Sequence, residues 1–420
     1  MIRFGTDGIR GRAGTHPITV DTAVAVGRAA SCLAEGGRVV VGRDPRPSSD
    51  ALAHGVIAGI CEQGGTALDA GVVPTAAIGV FLADGQADVG VMVTASHNVA
   101  ADNGFKVFGE GGRKLTGEAV SSVEGWLLDP PTPTNFGAVH HADALKAWAR
   151  RASSVMPALP SRPLVVDLAN GAARVLAGWL KEVWPGELHL VGTRGLPNDG
   201  VGSEHLEHVG EAVVRVGAWA GLAVDGDGDR CRLVDETGAA VAGDAVTWLL
   251  ARAMGVDGLA VTVMSNGALE QQLPGVEVTR TPVGDKHLAL AMRSQGLALG
   301  AEESGHVLFA DFPAGDGVIA GLRALVAVGD SAVSTAAAGF RPLPRRLGKV
   351  RVGSRPPLEG VAPLQQALTE LEPTLGAGGR VFLRYSGTEP VLRILVEGTD
   401  GAAVDRAYAE VERVAQEAIA

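Results

Sequence analysis

The feature that most constrains this chain is an alternation. Short β-branched runs alternate with helix-patterned stretches, and each βα-rich stretch sets a glycine-rich polar loop just beyond an apolar strand. In the first third the runs are residues 38–41, 66–68 and 89–93, with helices opening at Thr19-Val20-Asp21, near Ser49 and after Pro74. Runs at 164–167, 188–191 and 222–224 form a second set, and runs at 259–264 and 276–279 a third. A hairpin-like Val307-Leu308-Phe309 and a helix after Gly315-Asp316-Gly317 complete the third. Strands and helices in this order predict parallel-rich sheets covered by helices, with ligands gathering beyond the strands' carboxyl ends. The last eighty or so residues break the rhythm. A short run at 350–352, a helix around 364–371, strands at 381–384 and 392–396 and a terminal helix read as a smaller α+β cap.

Length agrees with several units: 420 residues at about 150 per domain give three, and four small ones fit equally well. Asp129-Pro130-Pro131-Thr132-Pro133 punctuates the end of the first, the helix through Leu145 and Trp148 leads to the next, and residues 341–346 read as a basic linker. Glycine, at 59 positions, has about twice its usual share without a collagen period, which points to tight turns. Acidic residues outnumber basic ones by 47 to 36, and a net charge of -11 argues against a nucleic-acid groove. An anionic small molecule is still compatible, provided local arginines overcome the global field. The longest uncharged apolar stretch, 70–83, contains Pro74 and falls short of the roughly 20 residues of a membrane span. The first twelve residues lack the apolar core of a secretory signal. Cys32, Cys61 and Cys231 have neither metal spacing nor a disulfide framework, so a reducing, cytoplasmic setting is expected.

Four loops could carry chemistry. Asp225-Gly226-Asp227-Gly228-Asp229-Arg230 follows an apolar run. Alternating aspartates on a glycine-curled turn aim oxygens inward, the ligands that Mg2+ takes, usually with phosphate. An EF-hand would need a closing glutamate, and none is placed there. Three carboxylates crowded beyond a buried strand repel one another, which weighs against a merely solvated turn. Arg230 adds a guanidinium suited to phosphoryl oxygens. In Thr94-Ala95-Ser96-His97-Asn98, Ser96 is a candidate nucleophile and His97 a neighbouring proton carrier. Adjacent side chains generally diverge, this is no G-x-S-x-G elbow, and a plain helix N-cap is an equally good reading. Lys106, in Asp102-Asn103-Gly104-Phe105-Lys106, brings an ammonium beside another tight turn.

Glu302, Ser304 and His306 alternate, so an extended segment would line them up as a comb for sugar hydroxyls. On these residues alone, an edge hairpin with a satisfied histidine is the better reading. Arg384-Tyr385-Ser386-Gly387-Thr388-Glu389-Pro390, with Arg393 beyond it, offers guanidinium, hydroxyl and backbone donors to a phosphate, Glu389 orienting an arginine. A strand–turn–strand with surface arginines is its plain alternative. Arg10 and Arg12 lie in a glycine-rich start that could fold over a site. His140 and His141 fall in the expected linker, and His205 and His208 on a helix, where all four read as structural or solvated.

Together, residues 4–11, 94–98, 102–106, 225–230, 302–306 and 384–390 resemble the α-D-phosphohexomutase family, in the family's order and across essentially the whole chain. FGTDGIRG, DNGFKVFGEGGRKL, TPVGD and SGTEPVLRILVEG are most similar to the bacterial phosphoglucosamine mutases. The resemblance implies an α/β protein of three βα-rich mixed-sheet domains plus a smaller C-terminal α+β domain, around a central cleft. Residues 1–145 would carry the serine nucleophile, 146–240 the metal site, 241–342 sugar recognition and 343–420 phosphate binding. It implies that Ser96 carries a transferable phosphate and that Asp225, Asp227 and Asp229 hold Mg2+ with one phosphoserine oxygen. Arg10, His97, Lys106 and Arg230 would surround the phosphoryl group. Glu302, Ser304, His306 and Lys286 would recognise the sugar, and Arg384, Ser386, Gly387, Thr388 and Arg393 its other phosphate.

In the implied reaction phosphorylated Ser96 gives its phosphoryl group to a hexosamine phosphate. The hexosamine bisphosphate then turns over and rephosphorylates the serine, with Lys106 and His97 moving the proton. Val99, Ala301, Lys286 and the loop 197–202 depart from common family residues. The same set would serve a phosphomannomutase or phosphoglucomutase. A non-catalytic sugar-phosphate binder would lack phosphoserine turnover, and a phosphatase would release free phosphate. The expected partner is a small phosphosugar, with no nucleic acid and no membrane, and the expected assembly a monomer or homodimer.

Overall fold

Among the described residues four β-sheets organise the chain, and three of them repeat one topology. The computed structural model describes residues 2–419 apart from Thr6, Thr134, Gly387 and Thr388. The first sheet contains β1 (Ile9–Arg12), β2 (Arg38–Arg43), β3 (Thr66–Val72), β4 (Val89–Val93), β5 (Asp102–Phe108) and β6 (Val139–His141), in the order β1-β5-β4-β2-β3-β6. The second has β7 (Leu164–Asp167), β8 (Leu188–Val191), β9 (Ala220–Val224) and β10 (Cys231–Val234), ordered β10-β9-β7-β8. The third has β11 (Gly258–Thr262), β12 (Glu277–Thr281), β13 (Leu299–Ala301) and β14 (Val307–Phe309), ordered β12-β11-β13-β14. In each, a central strand (β2, β7 or β11) has the next strand of the chain on one side and the one after that, the third of the set, on the other, both parallel to it. A fourth strand then returns antiparallel beside the third.

This repeat decides where the chemistry lies. The loops after β4, β9 and β13 are equivalent, each joining a buried third strand to its antiparallel neighbour. Val89–Val93 and Ala220–Val224 are buried along their whole length, as expected of strands covered by helices on both faces. With no solvated face such strands show no alternation, and only their polar ends mark where they stop.

The last sheet is different. β15 (Arg345–Arg351), β16 (Arg380–Tyr385) and β17 (Val391–Glu397) are antiparallel in the order β15-β17-β16. Here the expected linker 341–346 is cut short, because Arg345 and Arg346 already pair with β17. As an edge strand with mostly exposed side chains, β15 has the composition of a linker. For the same reason His140 and His141 lie in an edge strand, β6, paired with β3, and not in a linker.

Packing divides the molecule unevenly. One continuous apolar core runs through the first three sheets, including Phe81, Trp148, Leu222, Trp248, Leu259 and Leu322. The helix Thr75–Ala83 is apolar around its whole circumference because it is enclosed on all sides. Trp148 Nε1 donates to Asp316 Oδ2 at 2.5 Å, tying the first interdomain helix to the third unit. The fourth unit has its own core around Leu364, Ile394, Tyr408 and Val411. Its ties to the third include polar ones, among them Gln271 Nε2 to the Ala377 carbonyl at 2.6 Å and Arg380 to the Ser265 carbonyl at 2.9 Å. A shared apolar core resists separation in proportion to its area, whereas a polar seam permits relative movement.

Helices Val20–Leu33 and Ser49–Glu62 cover the first sheet and touch where Gly27 and Gly59 remove the side chains. A Cβ at Gly59 would lie 2.0 Å from the Val24 carbonyl oxygen. Gly59→Ala should therefore lower stability by about 2 kcal/mol, read as a fall in the urea midpoint at unchanged m-value.

Candidate active site

The serine loop is built tightly from its backbone outward. Ser96 lies just beyond β4 at φ 52, a left-handed conformation that few non-glycine residues adopt. Its N–H donates to Thr94 Oγ1 at 2.9 Å, and that hydroxyl donates in turn to Asp44 Oδ2 at 2.6 Å. Held this way, Ser96 Oγ donates to Asp225 Oδ2 at 2.6 Å, crossing from the first unit to the second. His97 Nδ1 lies 3.4 Å from the same oxygen, so the strained turn brings together two side chains that adjacency alone would separate.

The aspartate turn is fully buried. Asp225 Oδ1 accepts the backbone N–H groups of Asp229 and Arg230 at 3.0 and 3.2 Å. Lys106 Nζ donates to Asp227 Oδ2 and Asp229 Oδ2, both at 2.6 Å. One oxygen from each aspartate lies within 4.8 Å of the others, and Asp227 Oδ1 and Asp229 Oδ1 are buried without a hydrogen-bond partner. Burial, with Asp229 and Asp227 adding repulsion, pushes Asp225 well above the usual carboxylate range. Burial acts on Asp229 too, but Lys106, His306 and Arg230 outweigh it and hold that group well below the range. Surplus negative charge with free, converging oxygens fits a hard divalent cation such as Mg2+.

Two further groups are set in opposite protonation states. Burial works against the Lys106 ammonium, but Asp227 and Asp229 overcome it and keep the amine charged. In this arrangement Lys106 is an ammonium that donates hydrogen bonds and cannot accept a proton. Burial, with Arg230 and Arg10 nearby, pushes His97 down to about 4, so its ring is neutral at physiological pH.

The third unit closes one side of this cluster. Lys114 Nζ bridges Asp7 at 2.7 Å and Asp285 at 2.5 Å, and Asp285 Oδ2 lies 3.5 Å from His306 Nε2. Arg10 pairs with Asp7 at 3.4 Å. His306, Lys286, Lys114, Asp285 and Asp229 line one cavity. Glu302, Ser304 and His306 do not form an extended comb. Gly305 N–H donates to the Glu302 carbonyl at 3.0 Å, making the turn of the β13–β14 hairpin. Glu302 is folded inward, accepting Gly284 N–H at 2.8 Å and the Ser304 hydroxyl at 3.3 Å.

The fourth-unit residues stand apart. Arg384 and Arg393 line a groove of about 380 Å3 with Lys349, Phe382 and Met264, and no side chain of the Ser96 cluster reaches it. Burial and the neighbouring Arg393 depress the Arg384 pKa, the mark of positive charge lacking an anion. Glu389 lies 3.6 Å from Arg393 and 3.7 Å from Lys349. Ser386 is buried and its Oγ accepts Glu389 N–H at 3.3 Å. Gly387 and Thr388 lie outside the described residues.

Sequence reading missed several members of the cluster. Thr75 Oγ1 donates to Asp227 Oδ2 at 2.5 Å, and Lys114 joins Asp7 to Asp285. Arg46 and Asn198 reach the carbonyl oxygen of Ser96 at 2.7 and 2.8 Å. Arg46 and Thr75 follow β2 and β3, and the rule that sites lie beyond strand carboxyl ends could have found both.

Comparison with known proteins agrees with this architecture. Residues 1–128 match the profile of phosphoglucomutase/phosphomannomutase alpha/beta/alpha domain I, residues 242–340 domain III, and residues 347–414 the C-terminal domain. A phosphoglucosamine mutase of Symbiobacterium thermophilum is 39% identical, covering 98% of each chain. One of Paracoccus denitrificans is 38% identical over 94% of this chain and 95% of its own. A crystal structure of a phosphoglucomutase/phosphomannomutase family protein from Burkholderia thailandensis superposes with a TM-score of 0.83 at 25% identity, covering 98% of this chain and 97% of that one.

A histidine depressed to about 4 binds its proton more weakly in the folded than in the unfolded chain, so stability falls as pH drops through the ordinary histidine range toward that value. The His97 ring resonances should show the neutral form down to about pH 5. A midpoint near 6.5 would contradict the enclosed geometry.

Proposed function

This chain belongs to the phosphoglucomutase/phosphomannomutase, or α-D-phosphohexomutase, family, and from that premise we propose that it is a phosphoglucosamine mutase. It interconverts glucosamine 6-phosphate and glucosamine 1-phosphate in the cytoplasm through phosphorylated Ser96 and a hexosamine bisphosphate. The carrying observation is the 2.6 Å contact of Ser96 Oγ with Asp225, inside the three-aspartate cluster. The full-length similarity to phosphoglucosamine mutases supports the choice of hexosamine.

Asp225, Asp227 and Asp229 would hold Mg2+ with a phosphoserine oxygen, and the ion would supply Lewis-acid neutralisation of phosphoryl charge. Arg10 and Arg230 each have a buried Nε without a partner, donors free for phosphoryl oxygens. In the first half-reaction the sugar hydroxyl oxygen bonds to phosphorus, the bond to Ser96 Oγ breaks, and the hydroxyl proton leaves as the serine oxygen regains one. Lys106, entering charged, is the donor, and neutral His97, 3.4 Å from Oγ, is the acceptor. The bisphosphate then turns within the cleft, and Ser96 Oγ bonds to its other phosphorus as the bond from that phosphorus to the sugar oxygen breaks. The serine proton returns to Lys106, and the proton held by His97 passes to the released sugar oxygen. Ser96 is 1% exposed, which keeps water from competing for the phosphoryl group.

Glu302, Ser304, His306 and Lys286 take the sugar. Arg384, Ser386 and Arg393, joined by Gly387 and Thr388, hold the phosphate that is not reacting. One such pocket can serve both orientations of the bisphosphate if it sits on a unit with its own core, and the fourth unit has one.

Ser96→Ala should remove isomerisation entirely and leave intact-protein mass without a phosphoryl adduct. Turnover near the parent rate would refute the nucleophile, and steady phosphate release without isomer would identify a phosphatase. Arg384→Ala should raise KM about 10-fold or more, the loss of one charge-assisted hydrogen bond. Mg2+ added to chelated protein should raise Tm, and Asp227→Asn should erase that shift. Across glucosamine, glucose and mannose phosphates, kcat/KM should be highest for glucosamine. A neutral hexose in first place would overturn the hexosamine assignment.

A further inference from the structure

Non-glycine residues with left-handed backbone are few among the described residues, and they are not scattered. Ser96, Ala169, Asn170 and Asn198 have φ between 52 and 60, and only Glu35 lies elsewhere. The four are mechanically connected. The Ala169 carbonyl accepts Asn198 N–H at 2.9 Å, and Asn170 Nδ2 donates to the Leu196 carbonyl at 3.2 Å. Asn198 Nδ2 then crosses from the second unit to the first and donates to the carbonyls of Ser96 at 2.8 Å and Asn98 at 2.9 Å. Each such conformation is unfavourable for a residue with a Cβ and persists only where its surroundings enforce it.

From within the first unit the same carbonyls are held by Arg46, whose side chain is fully buried. Its Nε donates to Asp44 at 2.8 Å, and its terminal nitrogens to the carbonyls of Ser96 at 2.7 Å, Asn98 at 2.9 Å, Asp102 at 3.0 Å and Val99. All five guanidinium hydrogens are used. No lysine could do this, because an ammonium has three donors and no planar fork. Asp44, which orients the guanidinium, also receives the Thr94 hydroxyl that fixes Ser96 N–H.

We infer that Arg46 and Asn198 are positioning residues that clamp the strained Ser96 peptide from two units, so that Oγ can point only at the aspartate cluster. Neither side chain meets the reacting atoms. Their contribution is orientation, and it rests on the mutase reading above only for its catalytic consequence. Asn198 matters particularly because it joins the serine loop to the unit that carries the aspartates, making the alignment of Oγ with Asp225 a property of the pair of units. A backbone carbonyl gripped by two donors cannot rotate as the serine alternates between free and phosphorylated forms.

The test uses the full chain and two substitutions at Asn198. Glycine accepts positive φ, so Asn198→Gly removes the clamp without new backbone strain. Asn198→Asp keeps the shape and turns a donor toward two carbonyls into an acceptor. Both should fold with Tm within a few degrees of the parent. Amide hydrogen exchange in residues 94–103 should accelerate, and kcat should fall about 10- to 100-fold with the aspartate variant worse, while KM changes less than about twofold. Arg46→Lys should act in the same direction. If it fails to fold, the Asn198 pair decides. Unchanged exchange in residues 94–103 in Asn198→Gly would overturn the clamp, as would faster exchange with unchanged kcat. A parent enzyme without isomerase activity would refute the mutase reading, while faster exchange would still support the clamp.

Discussion

Three buried aspartates on one turn carry more negative charge than their neighbours cancel, and the surrounding structure is arranged about that imbalance. Lys106 answers part of it from β5, Arg230 from the turn itself and His306 from the third unit. Burial, and then the charge left over, raises the Asp225 carboxyl, and two carboxylate oxygens of its neighbours stay buried without a partner. Buried, unpaired charge is costly enough that such a turn persists only where cations of some kind are regularly received. Directing a serine hydroxyl at this point brings a transferable phosphoryl group to the place best able to neutralise it.

The repeated topology explains how residues from distant parts of the sequence meet. Each of the first three sheets ends its third strand in a turn and returns antiparallel, so the serine, aspartate and glutamate loops occupy equivalent corners. Packing the units on a common apolar core turns those corners toward one another, as the pairing of Arg230 with His306 and the Lys114 bridge show. The fourth unit has its own core and meets the third through side chain to carbonyl hydrogen bonds such as those of Gln271 and Arg380. Rigid alignment and adjustable reach are thus assigned to different kinds of interface.

Much of the site was legible as text. Asp225-Gly226-Asp227-Gly228-Asp229-Arg230 and Ser96-His97 stand out because a polar, glycine-rich turn after an apolar run has few structural reasons to exist. Glu302, Ser304 and His306 would share one face only in an extended backbone, and Gly305 at φ 94 bends them instead into the hairpin turn that these residues by themselves favour. Edge strand β6 and the first two residues of β15 read as linker because a strand with solvent on one side has a linker's composition. Arg46 and Asn198 were invisible because their partners are backbone carbonyls, which carry no side-chain identity.

The sequence by itself determined the order of strands and helices, the apolar runs that must be buried and the inventory of nucleophile, carboxylates and cations, because these follow from local periodicity and side-chain chemistry. Only the tertiary structure decided which inventory members meet, which conformation Ser96 is forced to keep and which protonation states Lys106 and His97 hold. Those depend on distances between segments far apart in the chain, and on a desolvation that exists only once the units have closed on one another.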